Sequence, residues 1–233
     1  MKYAFFSDIH GNLDALNAAI KESKELGINK FVILGDYVGY YQKPYEVIKT
    51  LLELDCIMIR GNHEELLFRA RKDKLFLKEL TLRYGHGHEI ALSELPNRFF
   101  KFLENLPSKR VIELPNNELM LICHGSPWKI DEYIYPDTPK VKINKALMGF
   151  DIVACGHSHY QFISRTRKNK FLFNPGSIGQ SRSKKSVGAC WASFNTQNKE
   201  IKFFDTKYDK TNVIEESKIL DPNIPYLYNV LKE

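Results

Sequence analysis

Short apolar runs alternate with helical patterns along the first sixty residues of this chain. Lys2–Phe6 reads as a buried strand, and residues 12–26 read as a helix with Leu13, Leu16, Ala19, Ile20 and Leu26 facing inward. Asn12 is placed to cap that helix and Gly27 to stop it. Residues 31–34 form a second expected strand, 44–54 a second helix opened by Pro44, and 56–59 a third strand. Strand-helix-strand-helix-strand with short connections predicts a parallel sheet with right-handed crossovers.

The pattern then turns helical, at residues 65–71, 75–84 and 90–106, with a break expected at Pro96. Strands return at 110–114 and 118–123 around a turn at Pro115-Asn116-Asn117. A helix at 138–148 and a strand at 152–155 follow, then strands at 161–166, 170–173, 187–194 and 200–205, and a short helical pattern after Thr211. The strand-rich second half predicts a second sheet packed on the first. The expected fold is therefore α/β, a two-sheet β sandwich flanked by helices. Residues 1–233 are read as one domain with a helical, cap-like insertion at about 64–108.

Polar residues gather where the apolar runs end. Asp8 and His10 follow the first strand, Asp36 the second, and Asn62 and His63 the third; His124 follows the strand at 118–123, and His157 and His159 the strand at 152–155. Ligands of open α/β sheets collect along the C-terminal edge of the strands, so these segments would converge on one crevice. Each fragment alone has an innocent reading as a turn or a cap. Five of them at strand-to-loop junctions in one order do not.

The order and spacing of Ser7-Asp8-Ile9-His10-Gly11, Gly35-Asp36, Gly61-Asn62-His63-Glu64, His124-Gly125 and Gly156-His157-Ser158-His159 resemble the calcineurin-like metallophosphoesterases, from Met1 to about Phe194. Gly35-Asp36-Tyr37-Val38-Gly39-Tyr40, His124-Gly125-Ser126-Pro127 and Asn174-Pro175-Gly176-Ser177 look like a prokaryotic branch of small phosphodiesterase-like proteins. Tyr41, Gln42 and Ser181 depart from that branch without touching a metal-ligand position. The resemblance implies two divalent metal ions, manganese first, with iron, zinc, cobalt or nickel compatible with an imidazole and carboxylate set lacking thiolate. By family correspondence Asp8, His10, Asp36 and His159 would hold one ion and Asp36, Asn62, His124 and His157 the other, with Asp36 bridging. A metal-bound hydroxide would attack the phosphorus, and His63 would protonate the leaving alkoxide as the catalytic acid. A phosphodiesterase acting on a small phosphate ester is the primary expectation. A phosphomonoesterase on nucleotides or phosphoproteins, a nucleotide sensor and a non-catalytic scaffold are the rivals.

Charge and cysteine content change this picture little. The net charge of +6 is uneven, with clusters at Arg165, Arg167, Lys168 and Lys170 and at Arg182, Lys184 and Lys185. Basic residues at the rim of a phosphate site would concentrate anions, but a solvated loop is the favoured reading. Nucleic-acid binding is not favoured, because interleaved aromatics are few. No apolar stretch approaches the ~20 residues of a membrane span, and a cleaved leader would remove Asp8 and His10, so a cytoplasmic location is expected. Cys56, Cys123, Cys155 and Cys190 lack Cys-x-x-Cys spacing and read as reduced thiols. His86 and His88, in Tyr84-Gly85-His86-Gly87-His88, are expected in a flexible glycine break between helices. The insertion could close a cleft or join a second copy of the chain.

Overall fold

The computed structural model describes residues 1–166, 169–183 and 186–232. The chain opens with β1 (Lys2–Phe6), α1 (Leu13–Glu25), β2 (Lys30–Ile33), α2 (Pro44–Leu52) and β3 (Asp55–Met58). These strands pair in parallel, with Phe5 opposite Val32 and Val32 opposite Ile57. Four helices follow: α3 (Asn62–Ala70), α4 (Lys74–Tyr84), α5 (Gly87–Glu94) and α6 (Asn97–Asn105). Then come β4 (Lys109–Leu114), β5 (Glu118–Cys123), α7 (Lys140–Ala146), β6 (Ile152–Ala154), β7 (Gln161–Arg165) and β8 (Phe171–Pro175). The chain ends with β9 (Ala189–Asn195), β10 (Glu200–Thr206), α8 (Thr211–Leu220) and α9 (Tyr226–Asn229).

Two mixed sheets result, one in the order β10-β9-β1-β2-β3 and the other β4-β5-β6-β8-β7. Between them lies an apolar layer in which Phe5, Val32, Leu34 and Ile59 meet Met120, Ile122, Phe171 and Phe173. Phe5 and Phe173 contact edge to face with ring centroids 5.1 Å apart. Side chains alternate along a strand, so Phe6, next to Phe5, points the other way, into the helical layer of α1 and α2 with Leu16, Val47 and Leu51. On the far side, Leu121, Val153 and Leu172 pack against Ile143 and Ala146 of α7. The order of layers is helix, sheet, sheet, helix, as the sequence pattern requires.

Some boundaries moved for local reasons. Leu26, expected to face inward, caps α1 and is 47% exposed, because the helix ends at Glu25. The helical stretch 90–106 breaks at Pro96 as expected, Leu95 being extended ahead of it, but its first helix starts earlier, at Gly87. Pro139, also extended, trims the expected helix 138–148 to α7. The third helix starts earlier than its apolar pattern does, at Asn62 itself.

Arg165 and Lys170 of the first basic cluster are not at the site edge. Arg165 is exposed, and Lys170 pairs with Asp151 at 3.2 Å, just before β6, whereas the polar motif follows β6 at its other end. Arg167, Lys168, Lys184 and Lys185 lie outside the described residues. Among the described residues no helix is long and apolar enough to cross a membrane. All four cysteines are free thiols.

Candidate metal centre

The loops after β1, β2, β3, β5 and β6 meet at one edge of the sandwich, tied by backbone bonds. Asp8 N–H donates to Gly35 O at 3.1 Å, and Gly156 N–H to His124 O at 2.7 Å. Asp8, His10, Asp36, His157 and His159 all adopt left-handed backbone, with φ between 53° and 65°. Asp, Asn and His tolerate that region better than most residues, yet each such position costs on the order of 1 kcal/mol. Cross-linking by neighbouring loops holds them there.

Each aspartate spends one oxygen on a backbone amide and leaves the other facing the imidazoles. Asp8 Oδ2 accepts from His157 N–H at 3.0 Å, and Asp36 Oδ1 from His63 N–H at 2.8 Å. The free oxygens, Asp8 Oδ1 and Asp36 Oδ2, are buried and receive no well-directed hydrogen bond. Asp8 Oδ1 lies 3.2 Å from His159 Nε2; Asp36 Oδ2 lies 3.1 Å from His124 Nε2 and 3.8 Å from His10 Nε2.

The histidines are aimed from behind. His10, His124 and His159 use Nδ1 on the carbonyls of Val38, Leu34 and Gln180, at 3.0, 2.7 and 2.7 Å, so Nε2 points inward. His157 is reversed: its Nε2 meets Asp131 O at 3.1 Å, leaving Nδ1 for the site. Backbone carbonyls behind imidazoles are the usual outer support of metal-binding histidines. His10 Nε2 and His159 Nε2 face each other at 3.3 Å, a contact favourable only with a shared proton or cation between them. Asn62 Oδ1 stands 2.9 Å from His124 Nε2.

Ligand-type atoms lie within 4.8 Å of one another in three groups: Asp8, His10 and His159; His10, Asp36 and His63; and Asp36, His124 and His157. With Asn62 beside His124, the structure brings together every residue singled out by the sequence as a ligand, and His63 with them. Burial would raise the Asp8 and Asp36 carboxyls. His159 and then His124 beside Asp8, and His124 and then His63 beside Asp36, hold both below the ordinary carboxylate range. Burial lowers His10 to about 3 and His157 to about 4. His124 moves the opposite way, up to about 10, because Asp36 and Asp8 outweigh its burial. Two buried carboxylates therefore draw one positive charge onto His124.

Orphaned anionic oxygens, inward imidazole nitrogens and the absence of thiolate fit divalent metal ions with borderline or hard preferences. Three donor groups, linked to one another through His10 and Asp36, fit two ions rather than one.

Several supporting residues had no role assigned from the sequence. Glu64 is fully buried, and its carboxylate collects the N–H groups of Gly61 at 2.7 Å, Asp36 at 2.9 Å and Tyr37 at 2.8 Å. It clamps the Asp36 loop onto the start of α3. Its position, third in that helix, is that of the acidic member of a capping box, which was the available signal. A side chain at Gly61 would put Cβ 2.1 Å from Asp36 Oδ1, so only glycine allows that approach. Behind the site, Asn174 Nδ2 donates to Gly156 O at 2.6 Å, and Ser177 Oγ to Asp8 O at 2.7 Å. The Asn174–Ser177 turn is thus a buried brace and does not face the cleft.

His86 and His88 part company. The glycine break between α4 and α5 is present, but it is packed: Gly87 and His88 are buried. His88 stacks on His63, with centroids 5.0 Å apart and planes at 17°, while His86 Nδ1 bonds Asp221 Oδ1 at 2.7 Å. Above the cluster opens a cleft of about 660 Å³, with Tyr40, Tyr84, Tyr133, Arg69, Arg83 and Arg182 on its walls. Tyr133 stacks on His157 at 4.1 Å.

Known proteins resemble this chain in sequence and in fold. Residues 1–199 match the family described as the calcineurin-like phosphoesterase superfamily domain. The uncharacterized protein MJ0912 of Methanocaldococcus jannaschii is 31% identical over 238 residues, covering 95% of this chain and 93% of that protein. The crystal structure of the hypothetical protein PH1004 from Pyrococcus horikoshii superposes with a TM-score of 0.82 at 25% identity, over 99% of this chain and 97% of that one. A metallophosphoesterase from Sphaerobacter thermophilus superposes with a TM-score of 0.81 at 22% identity, over 100% and 99% of the two chains. The orphaned oxygens, the inward imidazoles and the fold thus have one common account, and the chain belongs to the calcineurin-like phosphoesterase superfamily.

Proposed function

We propose that this protein is a dimetal-dependent phosphoesterase of the small prokaryotic phosphodiesterase-like branch, with phosphodiesters as preferred substrates. The observation that carries the reading is the pair of buried, unpartnered oxygens, Asp8 Oδ1 and Asp36 Oδ2, ringed by inward imidazole nitrogens. In this reading Asp8, His10, Asp36 and His159 hold one ion, and Asp36, Asn62, His124 and His157 the other. When bound, two such ions, manganese being the first to test, supply Lewis acidity toward phosphoryl oxygens and acidify water.

The remaining work falls to side chains of the chain itself. His63, fixed through its backbone N–H on Asp36, lines the cleft and is the group placed to give a proton to the departing oxygen. Tyr40, Tyr84 and Tyr133 wall a space wide enough for a substituent on each side of the phosphorus, which favours a diester. Helices α3 and α4 supply Arg69, Arg83 and Tyr84 to that wall, so the insertion at about 64–108 acts as a cap over the cleft. The ligand set is complete, which speaks against a scaffold that has lost its metals. Four free thiols, three of them buried, suit a reducing compartment, and we place the protein in the cytoplasm.

The test is hydrolysis of an aryl phosphodiester and its matching monoester by protein stripped of metal and reloaded with manganese. Faster, manganese-dependent diester cleavage is expected. A monoester preference would instead make it a phosphomonoesterase. Failure to bind two equivalents of metal would end the dimetal reading.

A further inference from the structure

Arg182 stands between two cavities. It lines the metal cleft, and it also lines a second cavity of about 240 Å³ beside Ser181, Ser183, Lys210 and Tyr226. Its surroundings are phenols: Nη2 lies 3.4 Å from the Tyr40 hydroxyl, and Tyr226 and Tyr133 are close by. Its Nε is buried without a hydrogen-bond partner. Among the described residues no carboxylate pairs with it, whereas Lys129, on the wall of the same cleft, pairs with Asp131 at 3.2 Å.

Withdrawing a guanidinium from water without a counter-charge is unfavourable, and a delocalised planar cation recognises phosphate with two parallel hydrogen bonds. The other cleft arginines differ in kind. Arg69 and Arg83 are exposed and lie over the rings of Phe76 and Tyr84, so water and ring faces satisfy them. The phosphoryl group to be cut has its charge met at the Asp36-centred cluster. A half-buried cation with a phenol but no acid beside it, at the side of that cluster, is matched to further negative charge on the same molecule.

We propose that Arg182 binds a second phosphoryl group of the substrate, so that the preferred substrates carry two phosphoryl groups, one at the metal cluster and one at Arg182. The second cavity, with its hydroxyls and Lys210, then receives what lies beyond that second group. This rests on the phosphoesterase reading above.

Two probes that differ by one phosphoryl group decide it: the p-nitrophenyl ester of thymidine 5′-phosphate, with and without a 3′-phosphate. In manganese-loaded wild type, the 3′-phosphate should lower KM by about 10–100-fold, the range of one charge-assisted contact. Arg182→Met should erase that advantage, and Arg182→Lys should keep part of it. Calorimetric titration of the same holoproteins with thymidine 5′-monophosphate and thymidine 3′,5′-bisphosphate gives a readout independent of turnover. The bisphosphate should bind more tightly to wild type by a similar factor and no more tightly to Arg182→Met. Equal loss on both esters would mean that Arg182 serves the phosphate being cut, and equal affinity of wild type for the two nucleotides would also overturn the proposal. If neither ester is cleaved with two metals bound, the phosphoesterase reading fails, and the calorimetry still decides the role of Arg182. Thermal midpoints within 3 °C of wild type would show that the variants are folded.

Discussion

His63 is held in an unusual way. Its backbone N–H is fixed on Asp36 Oδ1, but its Nδ1 is buried with no hydrogen-bond partner, and among the described residues no carboxylate pairs with the ring. What locates the imidazole is shape. His88 stacks on one face, Tyr84 meets it edge-on with centroids 5.0 Å apart, and a Cβ at Gly39 would come within 2.3 Å of Nδ1. Burial lowers His88 to about 4 and shifts His63 in the same direction, so His88 stacks on His63 as a neutral ring and sets no positive charge against it. His63→Ala should keep two bound metals and lose about 10²–10⁴-fold in kcat, most for esters with poor leaving groups. His88→Ala should lose about tenfold with the same leaving-group trend, because a loosened acid is misplaced and still present. His88→Phe, which preserves the stacking surface, should recover most of that loss. A loss independent of leaving group would show that His88 supports the fold and does not position His63. The sequence displayed His63 through its place after Asn62, but His88 looked like part of a hinge. Nothing in a Gly-His-Gly-His string reveals that the chain folds one of its rings beneath another.

At the scale of elements, the apolar runs disclosed nearly every strand and helix, and the edge on which the motif residues would gather. Lys2–Phe6 and Glu118–Cys123 fall where their hydrophobic pattern places them, since one or both faces of each strand are buried. Less legible were features that depend on two distant segments meeting. The Glu64 clamp joins the loops after β2 and β3, and the Asn174 brace joins the end of β8 to the loop after β6. The tail is the clearest case. A short helical pattern after Thr211 gave no hint that Asp221, at the end of α8, is buried and accepts from both His86 N–H at 3.2 Å and His86 Nδ1 at 2.7 Å. This contact fastens the α4–α5 junction, and with it Tyr84 and His88, to the C-terminal helices. Asp221→Ala should therefore destabilise the protein by about 1–3 kcal/mol. It should also raise hydrogen exchange at residues 84–91 more than in β1 or β5. Exchange that rises evenly through the molecule would show that the tail is not the fastening of the insertion.

The whole molecule concentrates its unfavourable choices at one edge. Two sheets bury an apolar layer that includes Phe5, Ile122, Phe171 and Phe173, and against that stability stand five left-handed residues and two buried aspartates with unpartnered oxygens. Removing core packing and removing ions should then have separable effects. Phe173→Ala empties the interface between the sheets and should cost about 3–5 kcal/mol while two metals still bind. Metal removal leaves the core intact and exposes the repulsion between the Asp8 and Asp36 carboxylates, which His124 offsets only in part. Ions that bind only the folded chain add about 2.7 kcal/mol at a concentration one hundred times Kd. For a chain of this length that corresponds to a rise of roughly 5–10 °C in the thermal midpoint. Wild-type protein titrated with manganese should show that rise, and chelation should reverse it. Asp36→Asn should abolish hydrolysis and lose most of the rise, because the oxygen shared by the two donor groups would no longer be anionic. Its metal-free form should be less stable than metal-free wild type, since the change removes the carboxylate 3.1 Å from the proton-holding His124 and leaves that buried cation only Asp8, at 3.8 Å. A full manganese-dependent rise in Asp36→Asn would place the metal ions elsewhere and would withdraw Asp36 from the centre of the site.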